Sequence, residues 1–269
     1  MLTSLQNPLV KQLRKLQRTK ERHEQGVFLI EGTHLVEAAC LANRSLATVC
    51  YTADWQAKYP QLWHRFTQLA QRAELVSPEV LAAIATTVTP DGVVATLPHE
   101  SMPTPQIHSL GIVLETLQDP GNLGTIIRTA AAVGADGLIL SQDSVEPEHP
   151  KVLRASVGQW FQLPMQVSPD LAATISEFRD QGLQVVATLP TATQTYWEVD
   201  FCRPTVLLLG NEGNGLSDNI AALADCAVQI PLAEKVESLN VAIAAALMLY
   251  EVKRQRVYAD KQEKRIELG

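Results

Sequence analysis

No stretch of this sequence is apolar for long enough to cross a bilayer. The longest such run, Val241 to Tyr250, covers about half of the ~20 residues that a spanning helix needs. Asn240 and Glu251 flank it, so it reads as a buried helix, and no membrane partner is expected. The basic N-terminal stretch has no apolar segment behind it, so a secretory signal is not expected. Cys40, Cys50, Cys202 and Cys226 show neither CxxC spacing nor a dense disulfide framework. They read as reduced thiols of a cytoplasmic protein, and no metal ion is expected. Internal repeats and low-complexity segments are absent too. What is there is 269 residues, 46% hydrophobic and 19% charged. That is enough apolar material for real cores and too much for a disordered chain. The length fits one large domain or two ordinary ones.

A net charge of −7 argues against a polyanionic partner until its distribution is read. Residues 1–26 hold six Lys/Arg against two Glu, a local +4 that leaves −11 on the rest. A basic stripe on an acidic body fits contact with nucleic acid through one surface; a solvated helix face accounts for the same residues. Lys11, Arg14, Lys15, Arg18 and Arg22 recur at three- and four-residue steps, the spacing of one helical face. One helix from Pro8 to about Glu24 is therefore expected, with Leu9, Leu13 and Leu16 turned inward.

Two alternating patterns follow. Short apolar runs at Val27–Ile30, Ala47–Tyr51, Glu74–Val76 and Val93–Leu97 alternate with helical stretches, one of them opened by Ser77-Pro78. Residues 99–108 carry Pro103 and Pro105 among polar neighbours and read as a semi-rigid linker. Beyond it the alternation restarts, with strands expected at Ile112–Thr116, Gly137–Ser141, Pro164–Val167, Gln184–Leu189, Val206–Leu209 and Ala227–Ile230. Wholly apolar strands such as Val206–Leu209 suit a parallel sheet covered on both faces. The expected organisation is α/β in two domains: 1–98, a linker at 99–108, and 109–269.

Three strand-to-helix junctions in the second half could carry chemistry. In Asp119-Pro120-Gly121-Asn122, Asn122 is placed to cap a helix that carries Arg128 among apolar neighbours. Leu209-Gly210-Asn211-Glu212-Gly213-Asn214-Gly215 has glycines for close backbone approach and a carboxylate, yet matches neither GxGxxG nor GxxxxGK[ST]. Ile230-Pro231 leads to Ser238-Leu239-Asn240, where Ser238 is expected to cap the last helix, running to about Arg256. All three lie at C-terminal strand ends, the edge at which α/β sheets bind ligands.

In these residues the chain resembles the SpoU (TrmH) branch of the SPOUT methyltransferases, which methylate the ribose 2′-hydroxyl of RNA. The resemblance rests on Asn122-x-Gly124-x-x-x-Arg128, Leu209-Gly210-Asn211-Glu212-Gly213-x-Gly215-Leu216 and Ile230-Pro231 to Ser238-Leu239-Asn240-Val241-Ala242, in that order. Gly26 to Gly32 behind the basic helix is similar to the ribosomal-protein-like α/β substrate-binding domain often fused to these enzymes. Lys151 to Gly158 looks like the family's loop near the RNA entrance. The resemblance implies a deep trefoil knot in the C-terminal domain, S-adenosylmethionine as cofactor, and a homodimer formed through that domain. It implies cofactor contacts at Leu209, Gly210, Ile230, Leu239 and Thr188. Asn122, Arg128, Glu212, Ser238 and Asn240 match its catalytic positions. RNA contacts are expected at Lys15, Arg18, Arg22 and Arg154. The activity implied is methylation of ribosomal RNA; a transfer-RNA enzyme and an inactive ribosome-assembly factor are the alternatives. A guanidinium stays protonated to above pH ~12, so the role expected of Arg128 is electrostatic.

Overall fold

Apolar strands alternate with helices throughout, and they assemble into two separate sheets. The computed structural model describes residues 1–99 and 104–267. Its contacts divide the chain into two units, Met1–Ser101 with Glu146–Gln162, and Met102–Val145 with Leu163–Gly269.

The first unit opens with α1 (Pro8–Lys15) and α2 (Thr19–Gln25), followed by β1 (Val27–Glu31), α3 (Thr33–Leu41) and β2 (Leu46–Tyr51). Then come α4 (Ala53–Lys58), α5 (Pro60–Leu69), β3 (Ala70–Leu75), α6 (Pro78–Ile84) and β4 (Val93–Pro98). The sheet order is β1-β4-β2-β3, with β4 antiparallel to both neighbours and β2 parallel to β3. Ser77 caps α6 as expected, its hydroxyl accepting from the Val80 N–H. Leu9, Val10, Leu13 and Leu16 pack with Val80, Leu81 and Ile84 over Leu29, Cys50 and Val94, which closes one face of the sheet. Burial pushes the Cys40 thiol up to about 11 and the Cys50 thiol up to about 12, so both are inert.

The single helix expected over 8–24 is two helices, and Arg22 is the reason. Its side chain is 0% exposed. Nη1 donates to the carbonyls of Leu16 (3.1 Å) and Gln17 (3.3 Å), the unpaired end of α1, while Nη2 donates to Thr19 and pairs with Glu146. A cation at a helix C-terminus satisfies carbonyls that the next turn would otherwise take up. Arg22 therefore leaves the exposed stripe and belongs to the interior, which corrects its expected role as an RNA contact. Arg22→Met should lower stability by about 3–5 kcal/mol, the range for removing one member of a buried ion pair. Urea unfolding checks this, and an unmoved midpoint would contradict it.

The second unit contains β5 (Leu110–Leu114), α7 (Pro120–Val133) and β6 (Gly137–Ser141). The chain then passes through α8 (Pro150–Ala155), which packs with the first unit, and returns. There follow β7 (Met165–Ser168), α9 (Leu171–Asp180), β8 (Gln184–Thr188), β9 (Gln194–Thr195), β10 (Thr205–Leu209), α10 (Asp218–Ala221), β11 (Cys226–Gln229) and α11 (Val241–Glu267). All its strand pairs are parallel, in the order β7-β6-β5-β10-β8-β11-β9. Both faces are covered, as the apolar runs require. Val113, Val185, Val206 and Leu208 face Ile175 and Phe178 of α9, and α11 packs on α7.

Three boundaries differ from expectation. Residues 146–162 join the first unit, so the second is not one continuous segment from 109. Within them Trp160 donates to the Pro147 carbonyl (3.1 Å) and lies 5.3 Å from the Phe28 ring. Arg154 bonds the Thr86 hydroxyl and lies 3.6 Å from Glu31, a buried carboxylate that also accepts from the Thr86 and Thr87 N–H groups. In the expected linker, residues 100–103 lie outside the described residues, while Pro105 and Ile107 are buried and pack against Gly137 and Gly111. The last helix begins at Val241 and runs well past Arg256.

Candidate functional site

The loops after β5, β10 and β11 meet at the C-terminal edge of the parallel sheet. Asp119, not Asn122, caps α7. Its Oδ1 accepts from the N–H groups of Gly121 (2.6 Å) and Asn122 (2.9 Å), with Pro120 inside the first turn. The sequence Asp-Pro carries that signal, one turn earlier than it was read. Asn240, not Ser238, caps α11, its Oδ1 accepting from Ala242 (2.9 Å) and Ile243 (3.3 Å). Ser238 lies in the exposed loop before it.

Released from capping, Asn122 links the three junctions. Because Asn240 Oδ1 is taken by helix N–H groups, its Nδ2 donates to Asn122 Oδ1 at 2.9 Å. Asn122 Nδ2 in turn donates to Glu212 Oε1 at 3.0 Å. A carboxylate only accepts, so the chain ends there and both amide orientations follow from its logic. Glu212 also accepts from the N–H groups of Gln118 (3.2 Å) and Asp119 (3.1 Å), backbone roles that the first junction's side chains do not reveal. Partial burial pushes its carboxyl up; the hydrogen bonds from Asn122, Asp119 and Gln118 outweigh this and hold it below the usual carboxylate value. Glu212 is thus charged at neutral pH, and the network comes apart only as pH falls through that lowered value.

The glycine-rich loop is folded tightly against itself. Asn211 and Gly215 exchange N–H···O bonds at 2.9 and 3.0 Å, and Asn211 Nδ2 donates to the Thr116 carbonyl at 2.8 Å. Gly215 sits at φ +70°, in the left-handed region. At Gly210 a Cβ would lie 2.0 Å from the Gly215 carbonyl carbon, so only glycine lets the two strands of the loop pass.

Thr188, Leu209, Gly210, Ile230 and Leu239, the five expected cofactor positions, line one cleft, which Ser238 and Glu212 also border. Thr188 Oγ1 is buried there without a hydrogen-bond partner among the described residues. Arg128 is not a member of this group. It is exposed on α7, six residues and about 9 Å of helix axis beyond Asn122. Among the described residues it has no ion-pair or hydrogen-bond partner, so its guanidinium is free to meet an anion. In the first unit, Lys11, Arg14, Lys15 and Arg18 border a shallow concave surface with Gln17 and Ala83.

A sequence description of the SpoU rRNA Methylase family matches residues 109–250, and one of the MRM3-like substrate binding domain matches residues 7–95. An uncharacterised tRNA/rRNA methyltransferase of Synechocystis is 53% identical, covering 95% of this chain and 94% of its own. The 23S rRNA (guanosine(2553)-2′-O)-methyltransferase RlmP of Bacillus subtilis is 32% identical over 94% of this chain and 98% of its own. The crystal structure of an AdoMet-bound rRNA methyltransferase from Sinorhizobium meliloti superimposes with a TM-score of 0.84 at 33% identity, over 94% of this chain and 97% of that one.

Proposed function

Because this chain belongs to the SpoU rRNA methylase family, we infer that it transfers a methyl group from S-adenosylmethionine to a ribose 2′-hydroxyl of ribosomal RNA. The observation that carries this reading is the junction of the three motifs through Asn240, Asn122 and Glu212 beside the cleft. Ribosomal RNA is favoured over transfer RNA because RlmP and the Sinorhizobium protein are both rRNA methyltransferases by name.

The cleft residues fit the cofactor. Thr188 offers an unused buried hydroxyl, and Gly210, at the end of β10, brings no side chain into the cleft it lines. When bound, S-adenosylmethionine supplies a sulfonium-borne methyl group open to in-line attack. The protein's task is to hold the ribose oxygen in line, and positioning alone removes several kcal/mol from the barrier. Arg128, exposed on α7 and outside the cleft, pins a substrate phosphate and so fixes where the ribose lies. Asn122 and Asn240 are locked in one amide orientation and give the site a fixed shape. Glu212 sets its charge, and Ser238 orients the reacting groups from the cleft rim. Transfer of labelled methyl from S-adenosylmethionine to purified 23S rRNA, compared with tRNA, tests the reading. Label recovered as alkali-resistant dinucleotides from rRNA supports it; label on tRNA alone, or on no RNA, opposes it.

RNA capture by the first unit is assigned to Lys11, Arg14, Lys15 and Arg18, all exposed. Arg154 contributes less, since its guanidinium already serves Thr86 and Glu31. Changing the four exposed cations to Gln should weaken RNA binding and flatten its salt dependence. Each lost phosphate contact removes about 0.7–0.9 from the slope of log affinity against log salt. Equal slopes for wild type and variant would mean that the stripe is only a solvated face.

Dimerisation through the second unit belongs to the same reading. Its support is an apolar stripe on α11, where Ile243, Leu247 and Tyr250 recur at four- and three-residue steps and are 51%, 37% and 55% exposed. The trefoil knot is supported by the strand order, in which β10 inserts between β5 and β8 before the chain continues to β11 beyond β8. A cytoplasmic site of action is supported by the free thiols of Cys40, Cys50 and Cys226, two of them buried. Among the described residues no helix is long and apolar enough to cross a membrane.

A further inference from the structure

His23 on α2, His99 just past β4 and Glu146 on the returning segment come together in the first unit, and while the pairing with Arg22 accounts for Glu146, it leaves the two histidines beside it unexplained. One ligand-type atom from each lies within 4.8 Å of the others. Glu146 is anchored by Arg22 through Oε2, which leaves Oε1 3.2 Å from His23 Nε2. The two imidazoles stack with centroids 5.5 Å apart. His99 Nδ1 faces the Glu148 carboxylate at 3.9 Å. His99 Nε2 is buried without a hydrogen-bond partner among the described residues, and Glu146 Oε1, also buried, has only the His23 imidazole beside it. Buried polar atoms are nearly always satisfied, so an orphaned imidazole nitrogen beside a second imidazole and a carboxylate oxygen indicates a missing partner.

We propose that His23, His99 and Glu146 bind one divalent transition-metal ion of the zinc type. Two imidazoles and a carboxylate are a known donor set for zinc, with water completing four-coordination. Glu148 lies 3.9 Å from His99 Nδ1, beyond hydrogen-bond length, and a small turn of the ring toward an ion would bring it into the second carboxylate position usual behind metal-bound histidine. A tetrahedral ion with bonds of about 2.0–2.1 Å brings its donors to about 3.3 Å from one another. The present spacing closes to that by side-chain rotation, and His23, 63% exposed, is free to move. Glu146 and Glu148 together offset both the Arg22 guanidinium and part of the ion's charge. The ion would clip Glu146, at the start of the returning segment, to α2 and the end of β4, tying together three stretches of the first unit that are far apart in sequence.

The test uses tag-free full-length protein stripped with a chelator and titrated with Zn2+ against a chromophoric competitor. Co2+ serves as a spectroscopic probe of geometry. One equivalent should bind and raise the melting temperature, and Co2+ should give the intense visible bands of a tetrahedral site. Glu148→Gln should weaken binding about 10–100-fold, His23→Ala and His99→Ala more than that, and His64→Ala, on α5, not at all. Circular dichroism of the metal-free variants checks that they fold. Wild-type binding no tighter than that of the His variants, or Co2+ spectra of a purely aqueous ion, would overturn the proposal.

Discussion

Arg128→Ala is expected to lower methyl transfer at least about 100-fold, the scale for misplacing a reacting group by about 1 Å when a phosphate clamp is lost. S-adenosylmethionine affinity should stay unchanged, because Arg128 does not border the cleft. Folding should be unaffected as well. Arg128 is exposed, and among the described residues no carboxylate depends on it, so its removal leaves no buried group unpaired. Arg128→Lys separates charge from geometry. A point charge retains part of the phosphate attraction but not the planar fork, so its rate should fall between the other two. Single-turnover methylation reads the rate, cofactor calorimetry the affinity, and thermal unfolding the stability. Ordinary turnover by Arg128→Ala would remove the residue from the mechanism.

Gly210→Ala should have the second large effect, by a different route. The new Cβ meets backbone on every side, with the Gly215 oxygen and Leu216 nitrogen both at 2.2 Å. No side-chain rotation relieves contacts with backbone, so the loop itself must shift. Overpacking of this kind lowers stability by about 1–3 kcal/mol. The shift also moves the backbone groups of residues 209 and 210 that border the cleft. Losing one or two hydrogen bonds to a bound ligand weakens affinity by roughly 10–100-fold. Gly213→Ala is the matched control. Its Cβ would meet only Asn211 Oδ1 at 3.5 Å, an ordinary contact, and S-adenosylmethionine affinity should change little. Equal behaviour of the two variants in calorimetry would contradict the role given to Gly210.

Most strands were legible from residue type; the two-residue β9 was not, and β3 begins at Ala70, earlier than the apolar run at Glu74–Val76 suggests. Val206 to Leu209 could be nothing but a strand buried on both faces, and β10 lies at the centre of the sheet. The break between α1 and α2 was not legible, because its cause is a pairing of Arg22 with a residue 124 positions away. By spacing alone Arg22 belongs to the same helical face as Arg18; only Glu146 and the carbonyls of Leu16 and Gln17 move it inside. The return of residues 146–162 to the first unit is hidden for the same reason, since no local pattern marks which sheet α8 covers.

The three junctions of the candidate site were visible separately, as strand ends followed by small and polar residues. Their order of hydrogen bonding was not, since it spans 90 residues between Asn122 and Glu212 and 118 between Asn122 and Asn240. Capping shows the limit most clearly. Ser238 and Asn122 both have side chains that cap helices well, yet Asn240 and Asp119 stand closer to the first free N–H groups and take the positions. That displacement is what frees Asn122 to connect the motifs. The exposed histidine His23 gave no signal at all, because its partners His99 and Glu146 come from two other segments of the chain.

Mapping of ribose 2′-O-methylation across ribosomal RNA tests the central claim most directly. RNA is taken from a strain lacking this protein and from the same strain supplied with the wild-type chain or with Arg128→Ala. The account predicts a 2′-O-methyl position in ribosomal RNA that disappears with the gene, returns with the wild-type chain and stays absent or nearly so with Arg128→Ala. An rRNA methylation pattern identical in all strains, with a tRNA ribose position following the gene instead, would contradict it.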